Sequence, residues 1–361
     1  MSDLYDLNDF WNGRPGAGER MTSGFAGLGF GFRMLNRYPE RHALRLDGTG
    51  EGLDMCRRAV DAASEWVEGC LDLPETLVSG VAMSPFVPSL GRYLVGDGLN
   101  FPPERLKGWH RGDETMIHLD RAILIGGRGA GTYGHWLLDF VPQILTALAA
   151  ETDPADSLPI LVVNCPAFGK RFLRYLGLEQ RCIFVRPDQT YRIDHLQFPL
   201  ITKLRRRYSV EVLRKSYGHL FALADRAAEK ARGRDWRRLL VARRIPPFCS
   251  NFDALQAALE PLGFTVIHPE DFPLAEQFQL FANAEIVVGE DGSAMHNAGF
   301  CRPDTPIVIW SRSREEKLNA WHGAVAETAR APLSYLQSTL SDDDTGYAAP
   351  VDDILRVIAA L

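Results

Sequence analysis

The sequence contains no apolar run approaching the ~20 residues that a helix needs to cross a bilayer. That argues against a helical membrane-spanning chain. Its start, Met1-Ser2-Asp3-Leu4-Tyr5-Asp6, lacks the basic-then-apolar order of a secretory leader, and the expected compartment is the cytoplasm. There is no C-x-x-C pair. The six cysteines (Cys56, Cys70, Cys165, Cys182, Cys249, Cys301) are scattered, mostly in apolar surroundings, and read as reduced core residues. No H-x-x-x-H spacing occurs, so no metal site is expected, and no G-x-S-x-G elbow marks a hydrolase. Positive charge is not in excess: the net charge of -6 gives no global attraction to nucleic acid, so an anionic ligand must be met by a local basic cluster. Internal repeats and low-complexity tracts are also absent.

What is present is an ordinary globular composition, 46% hydrophobic and 24% charged over 361 residues, long enough for two cores. Residues 1 to about 115 are rich in Gly, Pro and aromatics. Their clearest periodicity predicts one helix through Leu53, Cys56, Val60, Ala63, Val67 and Cys70. From Arg121 onward, short β-branched runs alternate with amphipathic stretches, as in Ala122 to Ile125, Trp136 to Ala150 and Pro159 to Val163. A second alternating run follows the basic segment Tyr208 to Arg232, with strands expected at Leu239–Ala242, Phe264–Ile267, Glu285–Gly289 and Pro306–Trp310. Such alternation predicts an α/β fold with mainly parallel sheets. The expected organisation is an N-terminal extension packed on the first domain (1–120), a first nucleotide-fold domain (121–234), a second (235–335), and a tail with a terminal helix (336–361).

In an open parallel sheet, ligands bind beyond the carboxyl ends of the strands. In the second run those ends carry Arg243-Arg244, then Gly289-Glu290-Asp291-Gly292-Ser293, then Ser311-Arg312. A glycine turn opening onto a helix offers free N–H groups, and neighbouring guanidiniums add charge-assisted hydrogen bonds, which suits a diphosphate. The alternative is solvated arginines with Asp291 or Ser293 capping the helix. Glu290 is suited to accept from ribose hydroxyls; a divalent ion bridging Glu290 and Asp291 to phosphate is the other reading of that carboxylate pair.

A second constellation is Tyr133-Gly134-His135-Trp136-Leu137-Leu138-Asp139 with Pro142, after the loop Gly126-Gly127-Arg128-Gly129-Ala130-Gly131. In a helix starting near Gly134, His135 and Asp139 share a face at contact distance. A carboxylate beside an imidazole fixes its tautomer and raises its basicity, which serves a general base; the competing reading has His135 packing beside Trp136. Pro142 should disturb the helix just beyond. Residues 129–134 also fit G-x-G-x-x-G, but the next strand ends in Asn164 rather than an acidic ribose ligand, against a dinucleotide site. The stretch Lys203-Leu204-Arg205-Arg206-Arg207 reads as a solvated face or a phosphate neighbour.

Taken in order, Tyr133 to Asp139 with Pro142, Val241 to Arg244, Leu262-Gly263-Phe264 with Pro269-Glu270, Leu274 to Gln277, and Val287 to Asn297 resemble glycosyltransferase family 61. The likeness spans roughly 121–311. It implies a GT-B-like fold of two Rossmann-type doubly wound domains facing a cleft. It also implies inverting transfer from a nucleotide-diphosphate sugar, usually a uridine diphosphate sugar, without an obligatory metal or other cofactor. The family includes capsular-polysaccharide proteins, which makes a glycan or lipid-linked acceptor in surface-polysaccharide synthesis the expected partner, with peripheral membrane association compatible with it. By similarity His135 and Asp139 are catalytic, and Arg243, Arg244, Gly289, Glu290, Asp291, Gly292, Ser293, His296 and Asn297 bind the donor. Many relatives carry His where Asp291 stands and a small residue or Thr where His296 stands. The alternative function is a non-catalytic nucleotide-sugar or polysaccharide-binding protein of the same fold.

Overall fold

The computed structural model describes residues 4–6, 17–40, 46–48, 64–80, 84–95, 115–127, 129–151, 157–200, 203–204, 207–227, 236–244, 249–311, 319–340 and 347–361. The chain divides into two compact units, Met1–Glu40 with Ala63–Val212, and Arg41–Ala62 with Leu213–Leu361.

The first unit holds a ten-stranded sheet built from β1 (Leu4–Asp6), β2 (Gly31–Glu40), β4 (Ser64–Leu73), β5 (Thr76–Ser79), β6 (Phe86–Val87), β7 (Arg92–Val95), β8 (Thr115–Ile125), β9 (Ile160–Val163), β10 (Cys182–Val185) and β11 (Gln189–Pro199); β3 (Leu46–Gly48) belongs to the other unit. Four of these, β10-β9-β8-β11, lie side by side and parallel. Their apolar content is nearly continuous, as a strand covered on both faces requires: Ile123, Leu124, Leu161, Val162 and Ile193 are all buried. Beyond β11 the sheet turns antiparallel through β5 and β4, and β2 pairs antiparallel with β4. The expectation of a mainly parallel sheet is corrected to a mixed one here, because residues before 115 add strands to it.

The helix expected through Leu53 to Cys70 is also corrected. Val67 and Cys70 lie in β4, while Leu53, Cys56, Val60 and Ala63 fall outside the described residues. β4 is buried on both faces, with Trp66, Val67, Glu68, Cys70 and Leu71 all inside, so its apolar positions satisfy a helical period by accident. Pairing with β2 on one side and β11 on the other decides its form.

In the second unit, β14 (Arg238–Val241), β15 (Phe264–Ile267), β16 (Ile286–Glu290), β17 (Ile307–Ser311) and β18 (Leu333–Gln337) form with β3 an all-parallel sheet in the order β15-β14-β16-β17-β18-β3. The four expected strands are present, and β18 and β3 extend them. The chain moves outward from β14 to β15 and then crosses to β16 on the other side of β14. The carboxyl ends of β14 and β16 therefore flank a topological switch point, where open sheets leave a crevice. Helices Phe252–Leu259, Leu274–Ala282 and Asn319–Ala329 cover the faces, and the segment after β16, Ser293–Phe300, is a 3-10 helix. The terminal helix Val351–Ala359 buries Ile354 in the same core as Leu240, Val288, Val308 and Trp310. Among the described residues no helix is long and apolar enough to cross a membrane.

Candidate active site

The His135 constellation is built on a helix in three parts: an α turn Tyr133–His135, a π turn Trp136–Phe140, and an α-helix Val141–Ala150. Val141 N–H bonds back five residues to the Trp136 carbonyl, and Pro142, which has no N–H, follows at once. The disturbance expected beyond the pair therefore lies within it. Trp136 anchors this turn. Its indole donates to Ala130 O at 2.9 Å and its ring stacks on Phe172 at 5.9 Å, over Gly169, where a Cβ would meet the indole at 2.2 Å.

The imidazole of His135 lies against Gly129, where a Cβ would fall 2.6 Å from the ring and φ is +95°. The first glycine of the G-x-G-x-x-G match thus has a packing reason that needs no pyrophosphate. His135 Nδ1–H donates to Asp139 Oδ2 at 2.5 Å, and Lys203 Nζ lies 3.3 Å from the same oxygen. Lys203 comes from the hairpin of β12 (Lys203–Leu204) and β13 (Arg207–Tyr208), and its ammonium stands 5.4 Å from the Tyr208 ring centre. The Asp139 side chain is 2% exposed and that of His135 14%. Burial alone would raise the Asp139 carboxyl; the Lys203 charge and hydrogen bonds from His135 and Tyr208 outweigh it and bring the pKa down to about 2. Asp139 is therefore a fixed anion. Lys203 is not on a solvated face: it is 2% exposed and paired.

The second constellation sits at the switch point. Arg243 Nη1 donates to Glu290 Oε1 at 2.9 Å, and Tyr347 O–H donates to Glu290 Oε2 at 2.6 Å. The Arg243 side chain is 31% exposed, and a guanidinium carries more N–H donors than this one bond uses. Arg244 is turned away into an exposed ion pair with Asp271. Gly289 lies inside β16, and a Cβ there would meet Met295 Sδ at 2.3 Å; its missing side chain lets the following turn fold back. Gly292, Ser293 and Ala294 are half-buried, and they open the 3-10 helix, whose first N–H groups have no partner within the helix.

Neither Asp291 nor Ser293 caps that helix, which corrects the capping reading: its N-cap is Gly292 and has no side-chain cap bond. Asp291 points into the fold instead. His322 Nε2 lies 2.8 Å from Oδ1, while Oδ2 accepts from Tyr335 O–H at 2.7 Å and Ser311 O–H at 3.2 Å. Burial raises the Asp291 pKa, but the His322 charge and these hydrogen bonds hold it below the ordinary carboxylate value. His296 is buried, with its ring 5.1 Å from that of His322, and its carbonyl accepts from Tyr217 O–H at 2.8 Å. Asn297 is fully buried and donates to Ala294 O at 3.0 Å. Arg312 lies outside the described residues.

The structure thus brings His135 to Asp139 and Arg243 to Glu290, sets Arg244 apart, and turns Asp291, His296 and Asn297 inward. Reasoning from sequence missed the roles of Lys203, Tyr208, His322, Tyr335 and Tyr347. The one visible signal was for Lys203, a single charge closing the apolar stretch Phe198-Pro199-Leu200-Ile201-Thr202. Among the described residues one group has metal-ligand spacing, His118, Asp120 and Asp194, on the middle of β8 and on β11, with His118 Nε2 3.0 Å from Asp194 Oδ1.

Comparison with known proteins agrees with the motif order. No curated protein matches the chain. Among solved structures, the metal-soaked Flv1 flavodiiron core from Synechocystis sp. PCC6803 is similar at 13% identity, covering 44% of this chain and 41% of that chain, with a TM-score of 0.22, too low to bear on fold or function. The family model described as Glycosyltransferase 61 matches residues 133–308, a span that begins at the π-turn constellation and ends in β17. The chain carries a glycosyltransferase family 61 domain and is, by that domain, a glycosyltransferase.

Proposed function

We propose that the chain transfers a sugar, with inversion at the anomeric carbon, from a nucleotide-diphosphate donor, a uridine diphosphate sugar in the first instance, to a hydroxyl of a glycan or lipid-linked acceptor. His135 is the general base. The observation that carries this assignment is the state of Asp139, buried, paired with Lys203 and pulled down to about 2, which makes it too weak a base to accept a proton near neutral pH. Its part is to hold Nδ1–H of His135, so that the lone pair lies on Nε2. As the acceptor oxygen attacks the anomeric carbon, its proton passes to Nε2, and the bond to the nucleoside diphosphate breaks.

The second unit carries the groups suited to that leaving diphosphate, namely the remaining donors of the partly exposed Arg243 and the N–H groups opening at Gly292 to Ala294. Glu290 and Tyr347 keep Arg243 in place. Arg244, Asp291, His296 and Asn297 act behind this surface. The parallel order β10-β9-β8-β11 in one unit and β15-β14-β16-β17-β18 in the other supports reading each unit as Rossmann-like; from the family resemblance alone we infer a GT-B-like enzyme that needs no obligatory metal and works in surface-polysaccharide synthesis.

The test is a thermal-shift screen of the full chain against nucleotide sugars, followed by transfer assays with the donor that raises Tm. His135→Gln should lower kcat by roughly 100- to 10,000-fold with little change in donor binding. Near wild-type turnover from both His135→Gln and Asp139→Asn would remove the base from this pair.

A further inference from the structure

Lys203 poses a question of charge. One carboxylate oxygen, Asp139 Oδ2, meets both the ammonium at 3.3 Å and the imidazole at 2.5 Å, and both the acid and the lysine are 2% exposed. A buried carboxylate beside a histidine ordinarily draws a second proton onto the ring, and an imidazolium has no lone pair with which to act as a base. A lysine side chain holds its proton about four pH units more firmly than a histidine does, so with both at one anion the lysine carries the compensating charge. Tyr208, beneath the ammonium, adds a neutral hydrogen bond to the same acid. The ionisable groups acting on Asp139 are thus Lys203, His135 and Tyr208; Arg128, on the neighbouring loop, lies outside the described residues.

We propose that Lys203 is a positioning residue for the transfer reaction: by neutralising Asp139 it keeps His135 as the neutral Nδ1–H tautomer, with the Nε2 lone pair available at physiological pH. This deepens, and rests on, the reading of His135 as the base. The companion site shows the contrast. There Asp291 faces His322 with hydroxyl donors, Tyr335 and Ser311, and no ammonium among its hydrogen-bond partners. Two carboxylate–histidine pairs in one chain thus differ in whether an ammonium shares the carboxylate.

The experiment is histidine-labelled ¹⁵N NMR of the full chain between pH 5 and 9, with the His135 signals assigned by their loss in His135→Gln. Wild-type His135 should be neutral with its proton on Nδ1 at pH 7. In Lys203→Met its titration midpoint should rise by at least about one pH unit, and Lys203→Arg should restore it. Should Lys203→Met fail to fold, the double variant Lys203→Met/Asp139→Asn carries the comparison. With both charges removed, its midpoint should stay within about half a pH unit of wild type, whereas Asp139 acting without compensation would make it fall by about one or more. An unchanged midpoint in Lys203→Met, an imidazolium in the wild type at pH 7, or that fall in the double variant overturns the proposal. The readout needs no substrate, so a wrong base assignment, seen as undiminished transfer by His135→Gln, is told apart from a wrong role for Lys203.

Discussion

Gly129 and His135 compete for one volume. A Cβ at position 129 would sit 2.6 Å from the imidazole on a backbone with φ of +95°. Gly129→Ala should therefore cost about 1–3 kcal/mol of stability, read as a fall in Tm, and should displace the ring from Asp139, lowering kcat more than donor affinity. Asp139 supplies a second expectation at this scale. Its folded pKa is depressed from 3.8 to about 2. The stabilisation is thus fully present above the ordinary value and is lost as pH falls through the folded one. About 2–3 kcal/mol should disappear between roughly pH 4 and 2 in urea titrations of the wild type, and the Lys203→Met/Asp139→Asn double variant should lack that slope. These residues were unevenly legible. His135 and Asp139 could be paired from an i, i+4 spacing, because helical geometry turns sequence distance into contact. Lys203 could not, since its distance from Asp139 is set by a hairpin that closes 64 residues later.

At the level of elements, the π turn Trp136–Phe140 and the 3-10 helix Ser293–Phe300 depart from regular α winding, and each follows a parallel strand that leads into a candidate site. The expected strands were found because runs such as Ile286-Val287-Val288 are short, β-branched and bounded by turns. The direction of a carboxylate at a strand end was not legible. Glu290 and Asp291 are neighbours in sequence, yet one meets Arg243 and Tyr347 and the other His322, Tyr335 and Ser311, all brought in by later elements. Asp291→Asn removes the buried carboxylate that His322, Tyr335 and Ser311 share, and should cost about 1–3 kcal/mol in chemical denaturation. Asp271→Asn, which breaks only the exposed pair with Arg244, should leave the midpoint unchanged. Comparable losses in both would mean that burial does not distinguish the two ion pairs.

For the whole molecule, the two compact units divide at Val212 and Leu213, inside α-helix Val210–Ala227, and the contribution of the first hundred residues was not legible in the sequence. Their strands β2, β4 and β5 extend the first sheet, and β3 leaves that unit to lie beside β18 at the edge of the second. Such long-range pairings carry no local period, which is why this region looked uninformative. Tyr347 and the backbone around it return from the far end of the chain to Glu290, Ser250 and Asn251. Removing residues 347–361 should lower Tm and loosen Arg243, seen as weaker binding of the donor identified by the thermal-shift screen.

The place of β3 has a practical consequence for cutting the gene. A fragment starting at Leu213 lacks the Arg41–Ala62 stretch and with it β3, so it would present the bare N–H and C=O groups of β18 to other copies of itself. Anyone wanting the second unit in isolation would have to graft the 41–62 stretch onto it, or permute the chain, to cover that edge.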